Sequence, residues 1–299
     1  MTKHQLTLQV GDPFRLRTTF RLTAMGSRDP TCKLSETTLA QTFITPDGPA
    51  LLQAVSEETG VRCEVTGPGT ELIVNRIPAY FGTEDSADGF VPTGPLASLA
   101  KQLAGTRLPR SPVVFHRLIQ IVLQQLVSWD DAAATWRSMV RKYGTPSEID
   151  GLYYPPEPSQ LTRLGYYDLV ACGALPKQGR LILGLARNAR RIERLAADGP
   201  DRLVLFLKEI RGIGPWTIGY LRGFAFGDPD VLITGDYGLP HYVSWFLKKQ
   251  PRSGDAEMEQ LLAPYRGLRF RALHLIMQSG TKPPRYGPKM ASNRQRNRR

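Results

Sequence analysis

Near residue 95 the hydrophobic period of the chain changes from two to about 3.6. That switch limits the fold more than any other feature. Upstream, apolar and polar residues alternate in Leu6-Thr7-Leu8-Gln9-Val10, Phe14-Arg15-Leu16, Phe20-Arg21-Leu22, Val61-Arg62-Cys63-Glu64-Val65 and Leu72-Ile73-Val74. Turns punctuate them at Pro46-Asp47-Gly48-Pro49 and Gly67-Pro68-Gly69. This pattern predicts an antiparallel sheet, with one helix over about 49–59. Downstream, Val114, Leu118, Ile119, Val122 and Leu126 fall on one helical face behind a Ser111-Pro112 start, and Trp129, Ala132, Trp136, Val140 and Tyr143 stripe a second helix that Gly144 ends. Further helices are expected at 180–195, 201–210, 215–226, 239–248 and 266–278, with a proline-rich loop at 153–158. The reading is an α+β chain: an N-terminal antiparallel sheet domain over 1–95, an all-α domain over 96–281, and a basic, disordered tail over 282–299. No fixed-period repeat is present.

Charge is divided the same way. Residues 1–95 carry 8 basic and 11 acidic side chains, 96–281 carry 24 and 16, and the last 18 residues carry 7 basic and none acidic. The positive field therefore belongs to the helical part and its tail, and it points to a polyanionic partner, nucleic acid first. Solubility charge is the plain alternative. The arginine face Arg187, Arg190, Arg191 and Arg194 reads as solvated. Cys32, Cys63 and Cys172 are too few for a four-cysteine metal or iron–sulfur site and read as small buried hydrophobes in a reducing compartment. The segment MTKHQLTLQV has no apolar core of a signal peptide, and no stretch approaches the ~18 apolar residues of a membrane span. A cytoplasmic protein is expected. His4, His116, His241 and His274 have no metal-ligand spacing, and neither a triphosphate loop nor a dinucleotide fingerprint is present.

Leu207-Lys208-Glu209-Ile210-Arg211-Gly212-Ile213-Gly214-Pro215-Trp216-Thr217 ends one helix and starts another. Glycines allow a tight turn and leave amides open at a helix N-terminus, where an anion such as a phosphate is favoured; Gly212, Ile213, Gly214 and Thr217 are the candidate ligands. Such glycines also occur in ordinary helix turns. Asp236 lies 22 residues after Gly214, at the end of the apolar run Val231-Leu232-Ile233. Alone, it reads as a helix cap.

Together, helix, Gly-X-Gly hairpin, helix and this aspartate resemble the helix-hairpin-helix DNA glycosylase superfamily, and within it most the inducible bacterial 3-methyladenine (alkylpurine) DNA glycosylases. The likeness extends to Arg107-Leu108-Pro109, Gln124-Gln125-Leu126-Val127-Ser128 and Asp236-Tyr237. It implies a monofunctional hydrolase that flips alkylated purines out of duplex DNA in base excision repair, with double-stranded DNA as partner, a monomeric state and no required cofactor. Asp236 is the implied catalytic carboxylate. Trp216, Tyr220, Tyr237 and Met277 are the implied base pocket, and Leu126, with Gln125 holding its loop, the implied intercalating wedge. The bifunctional branches have a lysine where this chain has Trp216, so no lyase activity is expected. The resemblance also allows a structural monovalent cation at carbonyls near Lys208, Arg211 and Ile213.

Two departures follow from the residues. Gly238-Leu239-Pro240 places the helix start at Leu239 or Pro240, leaving Asp236 ahead of it and not capping it. Met277 stands where the relatives have a tryptophan. Phe14 or Phe20 is available to close the pocket from the sheet domain. The competing readings are a glycosylase for deaminated or oxidised bases, and a DNA-binding protein without catalysis.

Overall fold

The computed structural model describes residues 3–284. Five strands, β1 (Lys3–Leu8), β2 (Cys32–Leu34), β3 (Thr38–Thr45), β4 (Gly48–Glu57) and β5 (Gly60–Thr66), form one antiparallel sheet in the order β1-β5-β4-β3-β2. Leu39, Phe43, Leu52, Ala54, Val61, Cys63 and Val65 line the face buried against α1 (Leu16–Phe20) and α2 (Thr70–Tyr80). Leu51 and Ile44, on the opposite face, meet Leu152 and Tyr154; the latter belongs to the two-residue hairpin β6 (Thr145–Pro146) and β7 (Tyr153–Tyr154).

Three local expectations are corrected here. The segment expected to be a helix at 49–59 is strand β4, because both of its faces are covered and a doubly buried strand loses its alternation. Leu72-Ile73-Val74 belongs to helix α2, whose buried residues Thr70, Ile73, Ile77 and Tyr80 repeat at helical spacing that a three-residue window cannot reveal. Likewise Leu16, Thr19 and Phe20 form the inner face of a short helix instead of two strands.

The rest is helical: α3 (Gly94–Gln102), α4 (Val114–Leu123), α5 (Trp129–Tyr143), α6 (Pro158–Leu161), α7 (Tyr166–Ala171), α8 (Pro176–Arg187), α9 (Ala189–Ala197), α10 (Pro200–Lys208), α11 (Pro215–Phe226), α12 (Leu239–Lys248), α13 (Asp255–Leu262) and α14 (Arg269–Gln278). All ten residues of α4 are buried. It is the axle of the second core, surrounded by α5, α8, α9 and α11, and not the one-faced helix that its stripe suggested. Its polar residues turn toward the sheet side, where Arg117 Nη1 donates to the Thr23 carbonyl at 2.5 Å. The single helix expected at 180–195 is two, because Asn188 turns its Nδ2 back onto the Gly184 carbonyl at 3.0 Å and breaks the run. Cys32, Cys63 and Cys172 are free and buried. Among the described residues no helix is long and apolar enough to cross a membrane. Of the basic tail read over 282–299, positions 285–299 lie outside the described residues.

Candidate active site

The hairpin joins α10 to α11. Gly212 adopts φ +100, a conformation that side chains resist, and a Cβ there would also meet Leu181 Cδ2 at 3.3 Å. Ile213 inserts into the helical core while its amide closes onto the Ile210 carbonyl at 3.0 Å. Gly214 is extended at the N-cap of α11, and the space where its side chain would be is open. Pro215 at the first helical position has no amide to satisfy. An approachable helix N-terminus of this kind favours an anion. The side chains of Ile213 and Thr217 take no part in that surface, because both are buried.

The Thr217 hydroxyl instead accepts a hydrogen bond from Gln125 Nε2 at 3.0 Å, and the same nitrogen donates to the Gly212 carbonyl at 3.0 Å. Gln125 thereby fastens the turn after α4 to the hairpin. The next residue, Leu126, has φ +60 and is 78% exposed. A leucine in left-handed backbone with an apolar side chain in solvent is doubly costly, and such residues persist where the surroundings impose them. Two residues on, Ser128 is the N-cap of α5, accepting from the Asp131 amide at 3.2 Å.

Asp236 sits where the 231–236 segment crosses α11. Gly219 makes the crossing possible, since a Cβ there would stand 3.2 Å from Ile233 Cα and 3.3 Å from the Leu232 carbonyl oxygen. One carboxylate oxygen, Oδ2, accepts from Trp216 Nε1 at 2.8 Å and from the Tyr220 hydroxyl at 3.0 Å. The other, Oδ1, accepts from the amides of Gly238 at 2.7 Å and Leu239 at 2.8 Å. Asp236 therefore does cap α12, contrary to the expectation: its side chain reaches across the two residues that separate it from the helix. Burial, and then the neighbouring Asp236 carboxylate, push the Tyr220 phenol well above its ordinary range, so Tyr220 serves as a donor at any ordinary pH.

Trp216, Tyr220 and Phe224 form a ladder along α11 at i, i+4 and i+8. Their ring centroids lie 4.4 and 5.5 Å apart. Phe224 belongs to this wall although only the first two rings were singled out from the sequence; the spacing itself was the available signal. Tyr237 does not join the wall. It is 89% exposed and packs its ring edge against His241 at 5.4 Å, because it lies on the outer side of the turn that aims Asp236 inward. Met277 packs against the helical core from the last turn of α14. Neither phenylalanine offered for closure is free to do so: Phe20 is sealed between Tyr80 and Phe81, and Phe14 packs on Phe81.

No family model matches the chain. A Bacillus subtilis (strain 168) chain, YfjP, whose assignment as a DNA-3-methyladenine glycosylase is itself provisional, is 23% identical over 152 residues, covering 50% of this chain and 52% of that one. A DNA-3-methyladenine glycosylase of the same organism is 26% identical over 208 residues, covering 66% and 68%. The first match thus spans about half of its relative and the second about two thirds. Among solved structures, the 3-methyladenine DNA glycosylase of Archaeoglobus fulgidus superposes with a TM-score of 0.75 at 20% identity, covering 92% of this chain and 97% of that one.

The chain has the helix-hairpin-helix DNA glycosylase fold. It is also a sequence relative of the DNA-3-methyladenine glycosylases. The glycosylase fold alone does not choose between hydrolase and lyase, since an 8-oxoguanine glycosylase/lyase of Clostridium acetobutylicum shares it with a TM-score of 0.67 at 13% identity, covering 92% of this chain and 96% of that one. Nor do side chains of this glycosylase fold gather a metal: among the described residues no group of three His, Cys, Asp or Glu is placed to hold one. The neutral carbonyls of Lys208, Arg211 and Ile213 accept no hydrogen bond within the described hairpin.

Proposed function

We propose that this chain is a monomeric, monofunctional DNA glycosylase that hydrolyses the bond between deoxyribose and an alkylated purine, 3-methyladenine or 7-methylguanine, flipped from duplex DNA. One observation carries the reading: Asp236 is drawn by Trp216 and Tyr220 against an aromatic wall at the first turn of the hairpin's second helix. The shared fold supports a DNA glycosylase, and the relatives' names favour 3-methyladenine among its substrates.

An N-alkylated purine is cationic, so its departure needs no proton. As the C1′–N bond breaks, the bonding pair goes to the purine, which leaves neutral, and the positive charge passes to the sugar. Water then adds at C1′ and releases a proton to solvent, giving an abasic site. Asp236 faces that developing cation, and its role is electrostatic. A carboxylate offers about four acceptor positions, and four donors already occupy those of Asp236; activating water would require it to give one up. Trp216, the partly exposed ring of the ladder, offers an electron-rich face to a cationic base, a contact worth ~1–2 kcal/mol when desolvated, while Tyr220 is buried behind it between Trp216 and Phe224. Trp216 in place of a nucleophilic lysine leaves no amine there to form a Schiff base. The hairpin amides receive the phosphate, and a monovalent cation held by the carbonyls of Lys208, Arg211 and Ile213 would supply positive charge beside it.

The test is to incubate the protein with methylated duplex DNA, identify the released bases by mass, and run the DNA on a gel with and without hot alkali. Free 3-methyladenine or 7-methylguanine, with breaks only after alkali, is expected. Breaks without alkali would overturn the hydrolase assignment. Release of only a deaminated or oxidised base from a mixed panel would overturn the substrate class, and no release from any substrate would leave a DNA-binding protein.

A further inference from the structure

The turn that carries Leu126 has a second fastening that belongs to neither the hairpin nor the aspartate site. Gln178, in the first turn of α8, is only 2% exposed. Its Nε2 donates to the Leu123 carbonyl at 3.1 Å and to the Gln125 carbonyl at 2.8 Å. Its Oε1 accepts from the Leu175 amide at 2.8 Å, which fixes the orientation of the side-chain amide. The last carbonyls of a helix have no partner within it. Those of Ile121 and Val122 are taken by the Gln124 and Gln125 amides, while those of Leu123 and Gln125 are taken by Gln178. Gln125 is therefore held at both ends, its carbonyl by α8 and its side chain by the hairpin. One turn along, α8 also touches the hairpin itself, where the Leu181 side chain lies beneath Gly212.

We propose that Gln178 is the positioning residue of the wedge: by holding the Gln125 carbonyl it keeps Leu126 in its left-handed, outward conformation at a set distance from the hairpin, so that separating stacked bases depends on a buried side chain that never meets DNA. The proposal rests on the glycosylase reading above and on Leu126 as its wedge. Without the Gln178 amide, the buried Leu123 carbonyl and the half-buried Gln125 carbonyl lose their donor, and the backbone at Leu126 is free to relax toward the right-handed region that a leucine prefers.

The probe is a duplex containing a tetrahydrofuran abasic analogue with 2-aminopurine as its neighbour, whose fluorescence rises when it is unstacked and which needs no catalysis. The wild type is expected to raise the signal, and Leu126→Ala to lower it. Gln178→Met, similar in length but without donors, is expected to reduce the signal and the excision rate about three- to tenfold. Because Gln178 acts through Leu126, adding Gln178→Met to Leu126→Ala is expected to cost nothing further. Gln178→Glu keeps the acceptor for Leu175 but turns an oxygen on the two carbonyls. Its signal is expected to recover on acidification, as the protonated acid regains one donor, and this variant also serves if the methionine variant does not fold. A full Gln178→Met loss in the Leu126→Ala background, or a pH-independent Gln178→Glu signal, would overturn the proposal alone. Failure of the wild type to unstack the duplex while it still releases methylated bases would overturn this proposal and leave the glycosylase reading standing; failure of both would overturn the two together.

Discussion

Each oxygen of Asp236 has its own pair of donors, so the residue is at once a helix cap and an acceptor from the aromatic wall. Asparagine separates these functions. It is as good a cap as aspartate, so α12 keeps its start. Its amide carries no charge to set against a developing oxocarbenium, and its nitrogen cannot accept from Trp216 or Tyr220. Asp236→Asn is expected to lower excision of 7-methylguanine about 100-fold or more while duplex affinity stays within a few-fold. Single-turnover rates and a binding titration on one preparation measure both quantities. Excision at the wild-type rate would remove Asp236 from the chemistry. The aspartate was legible in the sequence through its distance from the hairpin. Its partners were not, because a hydrogen bond between residues 16 or 20 positions apart depends on how two segments cross, and that crossing rests on the bare α-carbon of Gly219.

At the scale of elements, the hairpin was the most readable part of the chain. Two glycines, a buried isoleucine and a proline at the first helical position each have a local reason to be where they are, and each is found there. Gly212→Ala tests how much of this is backbone. At φ +100 an alanine is strained, and its Cβ must move Leu181 Cδ2 from 3.3 Å. About 1–2 kcal/mol of destabilisation is expected, with weaker binding to undamaged duplex at low salt. Denaturant midpoints and fluorescence anisotropy follow the two effects, and an alanine variant equal to wild type in both would show that the turn does not need its glycine. Elements whose nature depends on what covers them were less readable. Leu51 and Leu52 look like part of an apolar helix until a second layer, Leu152 and Tyr154, is known to lie behind the strand. Gln178 was silent for a similar reason, since a glutamine in a first helical turn identifies a local cap and says nothing of the carbonyls of a distant helix.

Over the whole molecule, the sheet and the helical body are joined by polar groups withdrawn from water. Trp136 Nε1 donates to Asp29 at 3.0 Å, Arg271 pairs with Asp85, and Arg117 reaches the Thr23 carbonyl. Glu193 is the member of this buried polar set that titrates near neutrality. It reaches from α9 to the start of α4, where Oε1 accepts from the Phe115 amide at 2.6 Å, and Arg76 is 3.9 Å from its other oxygen. Burial outweighs these two influences and that of the Val114 amide, and pushes its carboxyl up to about 7. The folded state therefore holds this proton more tightly than the unfolded chain, whose glutamates titrate near 4.3. A group raised in this way stabilises fully below the unfolded value and loses its contribution as pH climbs through the folded one, a difference of at most about 4 kcal/mol. Glu193→Gln keeps an acceptor for Phe115 and removes the titration. Relative to wild type, the glutamine variant is expected to gain stability between pH 5 and pH 8, seen as a widening gap in denaturant midpoint. Parallel curves across that range would mean that Glu193 is already ionised in the fold, its charge met by Arg76 and the Phe115 amide, and that the join between α9 and α4 is indifferent to pH.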